Sequence, residues 1–196
     1  TWAGGITRFD PSAHSFTAFT SHNTNLPDDN IFAMHVDRRG RVWAGSWREG
    51  LLLLDKATRS FSKFPIGKAG AGQSEIWRIE ELRDGRLALG TRESGLRVFD
   101  PESRAMISFD ADGKPETSLS SNEVRAIRET EPGVLWVGTA EGLDRLDLAT
   151  KAVTHFTRGD GINATAVSGI ATDAEGNLWL STDQGVTRFN PTLKKG

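Results

Sequence analysis

The sequence predicts an all-β fold of β-propeller blades, each a sheet of four antiparallel strands, and three observations predict it. One block recurs four times without a gap. A second block of constant layout follows each copy. Glycine and tryptophan are abundant, at 21 and six residues, and tyrosine is absent. Many glycines with regularly placed aromatics point to short strands joined by tight turns.

The first block begins at Ile31, Ile76, Val124 and Val167. Nine residues on stands a turn glycine: Gly40, Gly85, Gly133 and Gly176. Three further on stand Trp43, Ala88, Trp136 and Trp179, and then Gly45, Gly90, Gly138 and Ser181. The second block runs from Gly50-Leu51 to Asp55, Gly95-Leu96 to Asp100, Gly142-Leu143 to Asp147, and Gly185-Val186 to Asn190. The chain opens inside such a block, with Gly5-Ile6 leading to Asp10-Pro11. Nine residues after Asp10, Asp55, Asp100 and Asp147 come Phe19, Phe64, Phe109 and Phe156. Block starts are 45, 48 and 43 residues apart, and two loops absorb all the variation. Constant strands with variable loops describe a rigid scaffold carrying an adjustable surface.

Each element has a local cause. Ile31 to Asp37 alternates apolar and polar residues, as a half-buried strand does. Arg39-Gly40, Asp84-Gly85, Pro132-Gly133 and Glu175-Gly176 make the hairpin turns, with glycine supplying the positive φ. Val42–Ala44 and Leu135–Val137 are second strands, and Leu51–Leu54 and Leu96–Phe99 third strands. The outer strand ends at the phenylalanine. Asp-Pro at 10–11 and 100–101 stops the ladder, because proline has no N–H. The regular Asp10, Asp55, Asp100 and Asp147 read as turn caps. A helical solenoid needs a 3.6-residue spacing over ten or more residues, which is missing. The tryptophans and outer phenylalanines are expected to fill the gaps between neighbouring blades.

The phase gives two strands of a first blade and a linking loop (1–30), then complete blades at 31–75, 76–123 and 124–166. Three strands of a last blade follow (167–196). That is one strand more than four blades hold, so the chain reads as an arc of a larger ring.

Composition narrows the chemistry. A net charge of −2 and a pI near 6.1 give no general pull toward nucleic acid or an anionic membrane. The longest apolar run, Leu51 to Leu54, is far too short to span a bilayer. Without cysteine there are no disulfides, thiolate nucleophiles or Cys-ligated zinc. The chain opens at Thr1 without methionine, which leaves room for an upstream segment. His14, His22, His35 and His155 occupy different repeat positions, and no nucleophile motif, P-loop or His-Glu metal signature occurs. No cofactor and no metal are expected.

The blocks Arg-Val-Trp-Ala-Gly-Ser (41–46), Val-Leu-Trp-Val-Gly-Thr (134–139) and Asn-Leu-Trp-Leu-Ser-Thr (177–182) carry a resemblance. So do Gly-Leu-Arg-Val-Phe-Asp-Pro (95–101) and Gly-Val-Thr-Arg-Phe-Asn-Pro (185–191). Together they resemble the two-component regulator propeller repeat, across essentially the whole chain. The resemblance implies a seven-bladed periplasmic sensor propeller. A β-sandwich, a membrane span and a histidine kinase or diguanylate cyclase output domain would follow. It also implies carbohydrate as a ligand class, a possible receptor dimer and no membrane contact by this segment. Ala88 and Ser181 depart from the pattern.

In propellers the loops before each block and the links before each second-block glycine share one face, the mouth of the central funnel. Asn30, Glu75 and Glu123 precede first strands and would meet a polar ligand or a cation there, or remain solvated loop charges. Trp2 and Trp47 hold equivalent link positions. Beside Arg48 they would stack on a sugar or pack on a partner, or else cover a neighbouring loop. Arg92 holds the same link one blade on.

Three functions fit. The first is a ligand-sensing binding module that shifts a membrane-coupled equilibrium. The second is a propeller enzyme of the streptogramin lyase or gluconolactonase type, which needs a histidine base or a ring of carboxylates on a metal. The third is a protein-interaction scaffold.

Overall fold

The computed structural model describes residues 2–66, 75–114, 116–162 and 165–191. These hold seventeen strands and one 3-10 turn at Arg158–Asp160. The chain divides into two compact units, Thr1–Ile79 and Glu80–Gly196.

The first unit opens with a two-stranded sheet, β1 (Ile6–Asp10) and β2 (Ser15–Phe19). A four-stranded sheet follows: β3 (Ile31–Val36), β4 (Val42–Ser46), β5 (Leu51–Asp55) and β6 (Ser60–Phe64). Strand order equals chain order and every pairing is antiparallel. The unit boundary falls inside β7 (Ile76–Glu81). Its sheet continues with β8 (Leu87–Thr91), β9 (Leu96–Phe99) and β10 (Met106–Phe109). The second unit adds β11 (Val124–Glu131), β12 (Val134–Thr139), β13 (Gly142–Asp147) and β14 (Val153–Phe156) as one sheet. A three-stranded sheet of β15 (Val167–Thr172), β16 (Leu178–Thr182) and β17 (Gly185–Phe189) ends it. Each four-stranded sheet is a propeller blade.

Packing between sheets follows the repeat. In the first unit Ile6 and Phe19 of β1–β2 pack on Ile31, Ala44, Leu52 and Phe61 of the next sheet. In the second unit Leu82, Ala88 and Leu96 pack with Val124, Ile127 and Leu135. Trp136 and Phe156 pack with Val167, Leu178, Leu180 and Phe189. Each fully buried side chain of this size stabilises by roughly 1.5–3 kcal/mol. Leu26, Leu119 and Ile162 join these clusters from the loops, each five residues before a block start. This loop anchor recurs as regularly as the tryptophan, yet one apolar residue in a polar loop has no period of its own to announce it.

Close approach explains the glycine after the tryptophan. A Cβ on Gly45 would lie 2.7 Å from Ile76 Cβ, and one on Gly138 would lie 2.6 Å from the Val167 carbonyl oxygen. The first residue of the next sheet fills the notch each time.

The four recurrent aspartates cap turns, as expected. Asp10 Oδ1 accepts from the amides of Ser12 and Ala13, and Asp55 Oδ1 from Ala57 and Thr58. Asp100 Oδ1 accepts from Glu102 N, and Asp147 Oδ1 from Ala149 and Thr150. Four residues after each aspartate the chain turns left-handed, at His14, Arg59, Arg104 and Lys151. Each of these positions favours glycine and carries another residue instead.

Trp179 departs from expectation. Trp43 and Trp136 are buried, and the Trp136 ring lies 5.9 Å from that of Phe189 on the following sheet. Trp179 is 43% exposed. Among the described residues no further sheet lies on that face to fill the gap the repeat pattern implies.

Candidate ligand site

The link before each third strand lies beside the residue that precedes the first strand. Trp47 N donates to Asn30 O at 3.1 Å, Ala140 N to Glu123 O at 3.1 Å, and Asp183 N to Ala166 O at 3.3 Å. In each of these three sheets a backbone bond therefore places the link beside the residue that precedes the first strand.

In the first unit this arrangement gathers aromatics. The Trp2 and Trp47 rings are 4.9 Å apart at 65°, and Phe32 stands 5.6 Å from Trp2 and 5.4 Å from Trp47. Edge-to-face contacts at these distances hold rings in place. Trp2 is nonetheless 73% exposed, Phe32 is exposed and Trp47 is half-buried. Asn30 braces the group: its Oδ1 accepts from Ala3 N at 3.0 Å and its Nδ2 donates to Asp28 Oδ1 at 2.9 Å. Asp28 Oδ2 also accepts from Arg48 N at 3.2 Å. Behind them Asp29 accepts from the Ser21 hydroxyl and amide. The Ser21 hydroxyl, against the opposing effect of burial, holds the Asp29 carboxyl below its usual range, helped by the Ser21 amide and His22.

The structure thus brings together Trp2, Asn30, Trp47 and Arg48. Glu75 is buried, unlike a solvated loop charge. Arg92 is exposed in the second unit. Glu123, in that unit, accepts from its neighbour Arg125 through Nε at 2.9 Å and Nη2 at 2.7 Å. Asn30 and Glu123 therefore spend their side chains on positioning. Sequence reasoning missed Phe32 and Asp28. A register shift between Ile31 and Ala33 turns Phe32 outward, and a bulge of that kind leaves no mark in the residue pattern.

A second polar group in the second unit was also missed. Asp144 is fully buried on β13, where the equivalent residue of β5 is Leu52. Its Oδ2 accepts from Ser120 N at 2.8 Å, and its Oδ1 meets Ser120 Oγ and, at 2.7 Å, His155 Nδ1. Ser120 Oγ lies 3.0 Å from that same His155 Nδ1. A relay for nucleophilic catalysis needs the serine on one ring nitrogen and the aspartate on the other. Here both share one nitrogen, so the group lacks the arrangement of such a relay and ties Ser120 to β13. Among the described residues no three His, Asp or Glu side chains converge to hold a metal ion. No described helix is long and apolar enough to cross a membrane.

The family model described as two component regulator propeller matches residues 25–48, 118–141 and 161–184, which span the blocks that begin at Ile31, Val124 and Val167 and are in phase with their sheets. Three stretches of this chain are copies of the two-component regulator propeller repeat. Each matched stretch of this repeat begins one residue before a loop anchor, Leu26, Leu119 or Ile162. No curated protein matches the chain. Among solved structures, the propeller is similar to the extracellular domain of a protein named as a hybrid two component system of B. thetaiotaomicron. The TM-score is 0.81 at 21% identity, over 98% of this chain and 27% of that one. It is similar as well to the extracellular domain of one named as a one component system of that organism. There the TM-score is 0.80 at 19% identity, over 95% of this chain and 25% of that one. Virginiamycin B lyase from Staphylococcus aureus shares the fold more loosely, with a TM-score of 0.69 at 14% identity, over 98% of this chain and 66% of that one. At these identities the likeness establishes the propeller fold. The chain spans about a quarter of the length of the two extracellular domains.

Proposed function

We propose that this chain is a segment of the extracytoplasmic, ligand-sensing propeller of a bacterial signal-transduction receptor, and that it binds without chemistry of its own. The in-phase match of three blades to the regulator propeller repeat carries this reading. The parent receptor would place a histidine kinase or diguanylate cyclase beyond a membrane span. Ligand contact falls to Trp2, Phe32 and Trp47 with Arg48 beside them, because Trp2 and Phe32 are exposed, Trp47 is half-buried and the three rings pack on one another. Flat apolar rings beside a cation suit the C–H faces and hydroxyls of a carbohydrate.

Calorimetric titration of an oligosaccharide panel into the chain and into the full receptor tests this. A saturable response is expected, weakened about tenfold or more by Trp47→Ala, the loss of one stacking ring. Unchanged affinity in that variant removes Trp47 from the site. No binding by either protein at millimolar sugar overturns carbohydrate as the ligand class.

A further inference from the structure

One extra residue interrupts the first strand of three sheets at the same place. The pairing passes from Ile31 to Ala33 in β3, from Val124 to Ala126 in β11, and from Val167 to Gly169 in β15. Phe32, Arg125 and Ser168 are passed over, and a bulge of this kind re-aims its extra side chain. The flanking residues keep their character: Ile31, Val124 and Val167 are buried, and Ala33, Ala126 and Gly169 are small. Only the bulged residue changes its chemistry, from aromatic ring to cation to hydroxyl. All three stand at the link end of their sheets. Phe32 packs on Trp47 of its link. Ser168 Oγ lies 3.2 Å from Ser181 O and 3.1 Å from Ser181 Oγ, two residues before the link residue Asp183. Arg125 bonds to Glu123, whose carbonyl accepts from the link residue Ala140. In the second unit Arg125 is already oriented. Its Nε and Nη2 both donate to Glu123 Oε1, at 2.9 and 2.7 Å, and these bonds use one edge of the guanidinium. Among the described residues nothing bonds to Nη1, so the edge formed by Nη1 and Nη2 is open. The pair is only partly buried, and Ser168 is exposed on β15, which contacts β11.

We propose that the bulged residue of each first strand is a specificity-determining position, and that in the second unit Arg125 takes an anionic group of the ligand, a uronate carboxylate or a sulfate ester, on its open edge. A planar fork presents two parallel N–H groups at the spacing of the oxygens in such a group. Glu123 is a positioning residue that fixes the fork, and Ser168 offers a hydroxyl from the adjoining sheet. This inference rests on the ligand-sensing reading and narrows its ligand to an acidic saccharide.

Calorimetric titration of the full receptor uses three probes: a galacturonic acid trimer, a sulfated galactose trimer without uronate, and the neutral galactose trimer. One acid-bearing trimer is expected to bind at least about tenfold more tightly than the neutral one, and more weakly as salt rises. The two acid arms distinguish carboxylate from sulfate. Arg125→Met should bring that trimer down to the neutral affinity. Arg125→Lys should keep only part of the preference, because lysine has the charge without the fork. The double variant Arg125→Met with Glu123→Gln strands no charge. It should bind as Arg125→Met does, with the urea midpoint of the parent, because a partly exposed ion pair adds little stability. A preference that survives Arg125→Met, or binding without an acid preference, overturns this inference and leaves the sensing role standing. Silence toward all three trimers and the whole oligosaccharide panel is failure of the sensing reading, and this inference falls with it.

Discussion

The Trp43 indole N–H donates to Asp37 Oδ2 at 2.9 Å, six residues back along the same hairpin. Asp37 also accepts from the amides of Arg39 and Arg41 and from Arg41 Nε at 2.6 Å. One buried carboxylate thus closes the turn and fixes the ring that packs the sheet. The Arg41 guanidinium lies 5.4 Å from the Trp43 ring centroid. Asp37→Ala leaves the turn amides and the indole without their acceptor. It is expected to cost about 2–4 kcal/mol in urea unfolding. A loss below about 0.5 kcal/mol would show that water replaces the carboxylate without penalty.

Asp173 repeats this device beside Trp179, and it predicts a pH dependence. Burial alone would raise its pKa. The Asn177 side chain, the Trp179 indole, the Asn177 amide and Arg188 outweigh that and lower it to about 2, from 3.8. A folded value below the unfolded one contributes stability that is complete above pH 4 and drains away as pH falls toward 2. Asp173→Asn is expected to lower stability at neutral pH and to flatten the decline between pH 4 and 2, read from urea midpoints across that range. An unchanged slope would mean that Asp173 is not responsible.

Gly45 is needed for space alone, since its φ is not positive. Gly45→Ala sets a methyl 2.7 Å from Ile76 Cβ, and the sheets must part or Ile76 must move. The expected loss is about 1–3 kcal/mol. Ile76→Ala removes the Cγ2 that also lies 2.7 Å away but keeps the Cβ, so it should cost somewhat less in the Gly45→Ala background than alone. Strict additivity in the double-mutant cycle would refute the contact.

Asp144 is expected to hold the 110–123 loop onto β13. Asp144→Ala strands the Ser120 amide and hydroxyl beside His155. The loss should be about 2–4 kcal/mol, with faster amide exchange at Ser120. Exchange that stays slow would place the loop's anchorage elsewhere, at Leu119 in the core or at Glu116, whose carbonyl accepts from Val153 N.

Lys151 sits at φ 62, a conformation that costs most residues about 1 kcal/mol and glycine none. Lys151→Gly should raise stability by about 0.5 kcal/mol, the strain relieved less the entropy that glycine loses on folding. Arg59→Gly, at φ 57, should gain less, because the Arg59 guanidinium lies 5.1 Å from the Phe19 ring centroid. Equal gains in thermal melts would show that this cation–π contact contributes nothing.

Local chemistry repeated in phase was enough to determine the blades from the sequence alone. Alternating apolar residues, turn glycines, Asp10, Asp55, Asp100 and Asp147 at the turns, and a tryptophan on the second strand all act within a few residues of themselves, so their spacing survives in one dimension. Tertiary structure decided the rest, because it depends on what a residue meets across a sheet or between sheets. A bulge turned Phe32 outward to join Trp2 and Trp47, and a loop brought Ser120 to Asp144 across 24 positions. Trp43 and Trp179 share a repeat position and an aspartate partner, yet one is buried and the other exposed. Burial belongs to the neighbouring sheet as much as to the residue.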